Sequence, residues 1–346
     1  MKISPGKLWG LRRLADDDGF WRIVATDQRE LLAESIAARR GVDVAPYADV
    51  AELVTSLATE LQSEATAVLL DPIYGYYHAV ERLDPHKGLM ISYESLDISH
   101  TPGGVMMEPI PGWSVAKTRS LGADGVKVLV LYRADAAPEV RQHQEDFVQA
   151  AGEECERLDI AMLLEILVYA RPDQSPAQYQ AERRDLVLAA MQVFRDPKFK
   201  VDIYKLEPPA PLFGVPKIDS EAGQALLESY HLMTDGLRAP WVLLSAGMNK
   251  QDFKQSLEYA YRCQASGYLA GRALWSQAPE LFPDTDAITA SLREESLPYM
   301  RELNELTRRS GTPWPQHPSI GGGPERRYPL DRDFAVHYVT EVPVTV

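Results

Sequence analysis

Cysteine is scarce in this 346-residue chain, which holds only Cys155 and Cys263. Both lie in segments of helical periodicity, so a disulfide framework is not expected and a reducing cytoplasm is the predicted location. Long apolar runs are also missing. A membrane-spanning helix needs about 18 or more consecutive apolar residues, and we therefore predict no membrane span and no signal peptide.

Basic residues are also fewer than acidic residues. Lysine and arginine total 36 against 50 aspartate and glutamate residues, which gives a formal net charge of −14. Such a balance argues against nucleic acid or an anionic membrane surface as a partner. A small anionic substrate would consequently need a local cluster of positive side chains.

Short apolar runs alternate along the chain with longer segments of helical period. Most runs are apolar on both faces, which is typical of parallel strands covered by helices. The eight predicted strands are 22–29, 66–74, 88–94, 125–132, 160–169, 201–207, 240–247 and 267–274. The predicted helices are 30–40, 48–63, 138–157, 176–195, 220–235, 250–266 and 285–309, with a short one near 113–120.

This eightfold alternation predicts a closed (β/α)8 TIM barrel. An open, doubly wound sheet is the alternative, but no G-x-G-x-x-G follows the first strand. We assign residues 1–309 to the catalytic barrel, with a helical lead over 1–15 across its bottom. Residues 310–346 form a C-terminal extension, expected on the barrel or at an oligomer interface, and 334–346 has β-like composition.

Charged residues stand inside or at the ends of these apolar strands. In this fold the carboxyl ends of the strands form the active-site face. Alternation along each strand predicts that Asp27, Lys127, Glu165 and Lys205 converge at that face. The alternative is a buried salt-bridge network that only fixes the barrel, although a core gains little from two buried lysines.

A pair of lysines beside a carboxylate suits Schiff-base chemistry. A lysine amine is normally protonated at neutral pH, and both burial and a neighbouring cation favour the neutral, nucleophilic form. We predict Lys205 as the nucleophile, with Lys127 as the second cation and Glu165 as the group that moves protons.

Small residues end the last two strands, as Ser-Ala-Gly and Ala-Gly-Arg. The loops after strands seven and eight are the usual phosphate site of a TIM barrel, where backbone N–H groups and a helix N-terminus attract anions. Ser245, Gly247, Gly271 and Arg272 are therefore the predicted phosphate grip, with Arg272 as a bidentate donor.

Metal ligation has little support in the sequence. None of the seven histidines lies in a predicted strand, and no two have ligand spacing within one element. We predict a metal-independent enzyme with no cofactor.

Taken together, seven segments resemble the class I tagatose 1,6-bisphosphate aldolase family. They are ATDQR at 25–29, DPIYG at 71–75, GADGVKVLVLY at 122–132, LLEILVY at 163–169, VDIYKLEPP at 201–209, LLSAGM at 243–248 and AGRALW at 270–275. The resemblance implies that Lys205 forms the Schiff base, that Glu165 shuttles protons with Lys127 beside them, and that Asp27 and Gln28 contact the substrate. Ser245 and Arg272 would hold a phosphate, and a homo-oligomer is implied.

The resemblance implies reversible cleavage of a ketose phosphate, such as tagatose 1,6-bisphosphate, to dihydroxyacetone phosphate and glyceraldehyde 3-phosphate. The segments 95–111, 208–216 and 310–346 depart from the family pattern, and the first two border the mouth, where substrate identity is decided. The chain is similar also to sulfofructose 1-phosphate aldolases. A sulfonated or deoxy ketose phosphate is therefore an alternative substrate, and a non-catalytic sugar-phosphate sensor is an alternative function.

Overall fold

Eight parallel strands close into a barrel in the computed structural model, which describes residues 2–101, 103–209, 211–321, 325–326 and 334–338. Each strand overlaps one of the predicted strands, and neighbours in sequence are neighbours in the barrel. The predicted TIM barrel is confirmed. Strands 1 to 8 are Trp21–Ala25, Ala67–Leu70, Gly88–Ser92, Gly125–Leu131, Ala161–Leu167, Ile203–Leu206, Trp241–Leu243 and Gly267–Ala270.

Helices cover the outside of the barrel at the predicted places. Ser175 and Gln178 form a capping box that starts one of them, and Pro176 fits its first turn because no N–H is needed there. The helices are Pro5–Leu14, Arg29–Arg40, Tyr47–Leu61, Tyr76–Ala79, Val115–Ser120, Pro138–Arg157, Pro176–Phe194, Glu221–Thr234, Lys250–Arg262, Arg272–Trp275, Thr285–Ser291, Leu297–Ser310 and Phe334–His337. In the part of the chain that the structure describes, no helix combines the length and apolar character needed to cross a bilayer.

The barrel interior is filled by side chains from alternate strand positions. Leu163 and Ile203 belong to one buried apolar cluster in the lower barrel, together with Ile23, Ala25, Leu69, Met90, Val242 and Leu269. Glu165 and Lys205 lie two residues beyond Leu163 and Ile203, so they point to the same interior at its upper end. The strand register also pairs Glu165 directly with Lys205.

Described residues near both ends of the chain pack against the bottom of the barrel. Helix Pro5–Leu14 crosses it, where Lys7 Nζ lies 2.8 Å from Asp202 Oδ2. Trp314 stacks on Trp21 of strand 1, with ring centroids 5.9 Å apart. Lys2–Ile3 pairs with Glu325–Arg326 as a short two-stranded sheet.

Several predicted boundaries are wrong. Strand 8 ends at Ala270, because the backbone at Gly271 leaves the extended region and Arg272–Trp275 is helical instead. Strand 2 ends before Asp71, whose Oδ1 accepts hydrogen bonds from two following backbone N–H groups and so forms a turn. Within 334–346 the structure describes residues 334–338, of which Phe334–His337 is helical, and the rest of that prediction lies outside the described residues.

Candidate active site

Four buried charged side chains meet at the upper end of the barrel. Asp27 follows strand 1, Lys127 lies on strand 4, Glu165 on strand 5 and Lys205 on strand 6, and all are at most 7% exposed. The structure therefore brings these four residues together at the mouth of the barrel, as the sequence predicts.

The two lysines have different numbers of partners. The Nζ of Lys127 makes three ion pairs, with Asp27 Oδ2 at 2.9 Å, Glu94 Oε1 at 2.6 Å and Glu165 Oε2 at 3.0 Å. The Nζ of Lys205 lies 2.8 Å from the same Glu165 oxygen, and it has no second ion pair with a described residue. Glu165 therefore bridges the two amines.

These contacts set the charge states of the site. Burial works to lower the pKa of the Lys127 ammonium, but the charges of Asp27, Glu165 and Glu94 outweigh it and hold that pKa well above its ordinary value. Burial works to raise the pKa of Glu165 and of Asp27, yet the two lysines outweigh it and lower both below their usual range. Lys127 is accordingly a fixed cation, and both carboxylates are ionised at neutral pH.

An unpaired cation lies beside this cluster, at the ends of strands 7 and 8. No hydrogen bond or ion pair links the Arg272 guanidinium to another described side chain. It packs over Gly247, where a Cβ would lie 2.9 Å from Arg272 Nη1, and Ser245 is buried next to it. These three residues of the predicted anion grip therefore lie together, although Arg272–Trp275 is too short to add the expected helix dipole.

Gln28 lies between the charge cluster and the anion grip. Its amide Oε1 is buried and finds no hydrogen-bond partner among the described residues. A Cβ on Gly271 would lie 2.8 Å from Gln28 Nε2 and 2.9 Å from the Ala25 carbonyl oxygen, so a larger residue there would displace the backbone or the amide. An orphaned buried acceptor costs about 1–3 kcal/mol, and a substrate hydroxyl could remove that penalty.

All nine predicted site residues except Gly247 line one cavity of about 280 Å³, and Gly247 underlies Arg272 at its edge. A larger cavity of about 660 Å³ lies at the barrel bottom, but its Lys7 and Asp202 neutralise each other. The smaller cavity is the better active-site candidate because it gathers the unpaired cation, the orphaned amide and the lysine pair.

Comparison with known proteins identifies the family of this chain. The family model described as DeoC/LacD family aldolase matches residues 21–277, which include all eight strands. The chain belongs to the DeoC/LacD aldolase family. This aldolase is a carbon–carbon lyase, and its resemblance to the tagatose 1,6-bisphosphate aldolases is confirmed.

The relatives of this DeoC/LacD aldolase match along almost their whole length. Tagatose 1,6-diphosphate aldolase of Lactococcus lactis subsp. lactis is 30% identical over 324 residues, which cover 91% of this chain and 99% of the relative. Tagatose 1,6-diphosphate aldolase 2 of Streptococcus mutans is 29% identical over 335 residues, covering 93% and 100%.

Solved structures share the fold of this aldolase at low sequence identity. A Schiff-base-forming fructose-1,6-bisphosphate aldolase superposes with a TM-score of 0.57 at 14% identity, covering 87% of this chain and 99% of that chain. Fructose-bisphosphate aldolase of Plasmodium falciparum gives 0.62 at 13% identity, covering 90% and 98%.

Two residues of this aldolase site were not predicted from the sequence. Glu94 contacts Lys127, and its Oε2 accepts a hydrogen bond from Leu129 N at 3.0 Å. Arg29 is buried and donates to Ser92 Oγ at 3.2 Å and to the Glu94 carbonyl at 2.8 Å. Both stand at ends of predicted strands, so the criterion that selected Asp27 would have found them.

Asp202 and Glu207, the first and last residues of the D-x-x-K-x-E segment, make contacts that stabilise the fold. Asp202 pairs with Lys7 at the far end of the barrel. Glu207 Oε1 accepts a hydrogen bond from Val168 N at 2.6 Å, and its other oxygen pairs with Arg183. This aldolase thus positions Lys205 by fixing the strand on both sides of it.

Proposed function

We propose that this aldolase is a class I enzyme. It reversibly cleaves a ketose phosphate, such as tagatose 1,6-bisphosphate, to dihydroxyacetone phosphate and glyceraldehyde 3-phosphate. The observation that carries the proposal is the unequal pairing of the lysines. Lys127 is held as a cation by three carboxylates, whereas among the described residues Lys205 forms an ion pair with Glu165 alone, and Glu165 can take its proton. Lys205 is therefore the amine available to attack a carbonyl.

The substrate would lie across the mouth with its 1-phosphate on Arg272 and Ser245. This places the C2 carbonyl toward Lys205, whose strand is next to the anion grip. The Lys205 amine adds to C2 to give a carbinolamine. Loss of water, with a proton supplied through Glu165, then gives the iminium.

Cleavage uses the iminium as an electron sink. Glu165 takes the proton of the C4 hydroxyl, the C3–C4 bond breaks, and its electron pair forms the enamine as the aldehyde leaves. C3 is then protonated, and water hydrolyses the new iminium to release dihydroxyacetone phosphate and the free lysine. Lys127 stays charged throughout and stabilises the ionised form of Glu165.

The test is cleavage of tagatose 1,6-bisphosphate, followed by coupled detection of the triose phosphates. Lys205→Ala should abolish cleavage, and Lys205→Arg should also be inactive because it keeps the charge without a nucleophilic amine. Lys254→Ala, which removes a surface lysine paired with Glu302, is the matched control and should retain full activity.

Addition of EDTA should leave the rate unchanged, and strong inhibition would favour a metal-dependent reaction. Binding of ketose phosphates without turnover would instead favour a sugar-phosphate sensor. A panel of ketose phosphates compared by kcat/KM, with sulfofructose 1-phosphate included, separates the alternative substrates.

A further inference from the structure

Four leucines line the cavity on the side of strands 3 to 6, where Tyr179, Arg183 and Glu207 also contribute to the lining. Strands 3 and 4 lie across the barrel from strands 7 and 8, and Ser245 and Arg272 follow the ends of those two strands. Leu96 follows strand 3 and Leu129 lies on strand 4, and both line the cavity. Leucines 167 and 212 continue this wall, which we call the leucine wall: Leu96, Leu129, Leu167 and Leu212.

All but one of the cationic side chains among the described lining residues have an ion-pair partner or a proposed catalytic role. Among the described lining residues, Lys127 is neutralised by three carboxylates, and Lys205 is the proposed nucleophile. Arg183 is 2% exposed, pairs with Glu207 and donates to the Pro208 carbonyl at 2.8 Å. If Arg183 turned to bind a ligand, the buried Glu207 carboxylate would lose its ion-pair partner, which is strongly unfavourable.

Arg272 is thus the cation left for an anionic ligand group in the described lining. A substrate held there by its 1-phosphate, with C2 at Lys205, directs carbons 5 and 6 toward the leucine wall. A second phosphate at C6 would meet apolar side chains or remain in the water at the mouth.

We propose that the leucine wall recognises an uncharged distal end, so that ketose 1-phosphates without a second phosphate are substrates of this aldolase. This inference rests on the proposed Schiff-base cleavage and extends it to substrate class. Cleavage of such a substrate yields dihydroxyacetone phosphate and an uncharged aldehyde, whose apolar contacts with the wall replace an ion pair.

The first measurement compares kcat/KM for tagatose 1-phosphate and tagatose 1,6-bisphosphate. Each hydrogen bond to a charged group changes affinity by about tenfold or more, so a specifically held second phosphate contributes on the order of 100-fold. We expect the two kcat/KM values to agree within about tenfold. A preference of about 100-fold or more for the bisphosphate would overturn the inference.

The second measurement places a cation in the leucine wall. Leu212→Arg should raise the ratio of bisphosphate to monophosphate kcat/KM by about tenfold, because the new guanidinium can hold the C6 phosphate. Phe213→Arg is the matched control, since the adjacent Phe213 is 66% exposed and lies outside the cavity lining. It adds the same charge and should leave the ratio within about twofold.

Leu96→Arg tests the same wall from another loop and covers the case in which Leu212→Arg fails to fold. An unchanged ratio in the folded wall variants would overturn the inference while leaving the Schiff-base proposal intact. Absence of cleavage with every ketose phosphate would overturn the proposed function, and this inference with it.

Discussion

At the residue scale, the two active-site lysines differ in their neighbouring carboxylates and therefore in their chemical roles. Both are buried and both touch Glu165 Oε2, but Lys127 has two further carboxylate partners, Asp27 and Glu94. A fixed ammonium cannot attack a carbonyl, although it can hold a proton-transfer group in its ionised form. In this account, Lys205 is the nucleophile and Lys127 is the fixed cation, although the two side chains are chemically identical.

Glu165→Gln tests the bridging carboxylate. The amide keeps the shape but cannot accept the protons released by Lys205 and by the C4 hydroxyl, so kcat should fall by about 100-fold or more. Glu302→Gln, at a surface ion pair with Lys254, should change kcat by less than about twofold. A Glu165→Gln enzyme with nearly normal kcat in steady-state assays would remove Glu165 from the mechanism.

Sequence patterns could predict the residues of this site better than their pairing. Strand parity brings Asp27, Lys127, Glu165 and Lys205 to one end of the barrel, because alternate side chains share a face. Glu94 shares the parity of Met90 and Ser92, so its place at this end of the barrel was also predictable. Its pairing with the Lys127 amine was not, because it depends on the hydrogen bond by which Leu129 N anchors the carboxylate.

At the element scale, the turn after strand 7 shapes the anion grip. Ala246 and Gly247 both have positive φ, at 45° and 81°, which turns the backbone sharply toward strand 8. The missing Cβ of Gly247 leaves the space that the Arg272 guanidinium occupies. The sequence motif Ser-Ala-Gly is thus explained by the close packing of an arginine against the backbone.

Gly247→Ala should raise KM for ketose phosphates by about tenfold, because the new methyl displaces Arg272 and weakens its bidentate contact. Gly41→Ala is the matched control: Gly41 also has positive φ, at 66°, but no atom lies within 4 Å of its added Cβ. Each variant should lose about 1–2 kcal/mol of stability through backbone strain.

Thermal unfolding and KM are measured on both glycine variants. Equal stability losses with a KM change confined to Gly247→Ala would agree with the packing described. An unchanged KM in Gly247→Ala would mean that the guanidinium position is not set by Gly247.

Element order was predictable, whereas element ends were not. Hydrophobic periodicity indicates all eight strands, yet strands 1, 2, 7 and 8 end four residues before the predicted boundary. The residues beyond those ends, such as Asp71 and Arg272, form turns that depend on local hydrogen bonds. Apolar composition alone cannot distinguish such turns from a continuing strand.

At the scale of the whole molecule, the two ends of the barrel have separate roles. Charges converge at the upper end, while helix Pro5–Leu14 and the described residues after 310 close the lower end. Alternation along the chain predicts the barrel, but it carries no information about where an extension docks. That contact joins Trp314 to Trp21, residues far apart in sequence. The predicted homo-oligomer remains a prediction.

Trp314→Ala tests whether the extension stabilises the barrel from below. Trp314 is 2% exposed and stacked on Trp21, so its truncation should cost about 3–5 kcal/mol in free energy of unfolding. Trp9→Ala, at a tryptophan that is 63% exposed, should cost less than about 0.5 kcal/mol. Denaturant titration gives both values, and a small loss in Trp314→Ala would contradict a stabilising role.

The identity of the nucleophile is the central claim, and reductive trapping tests it most directly. The enzyme is incubated with dihydroxyacetone phosphate and borohydride, then digested and mapped by mass spectrometry. The account predicts the mass of one reduced adduct on the peptide that contains Lys205, and none after Lys205→Ala. An adduct on the Lys127 peptide, or no adduct on either lysine, would contradict it.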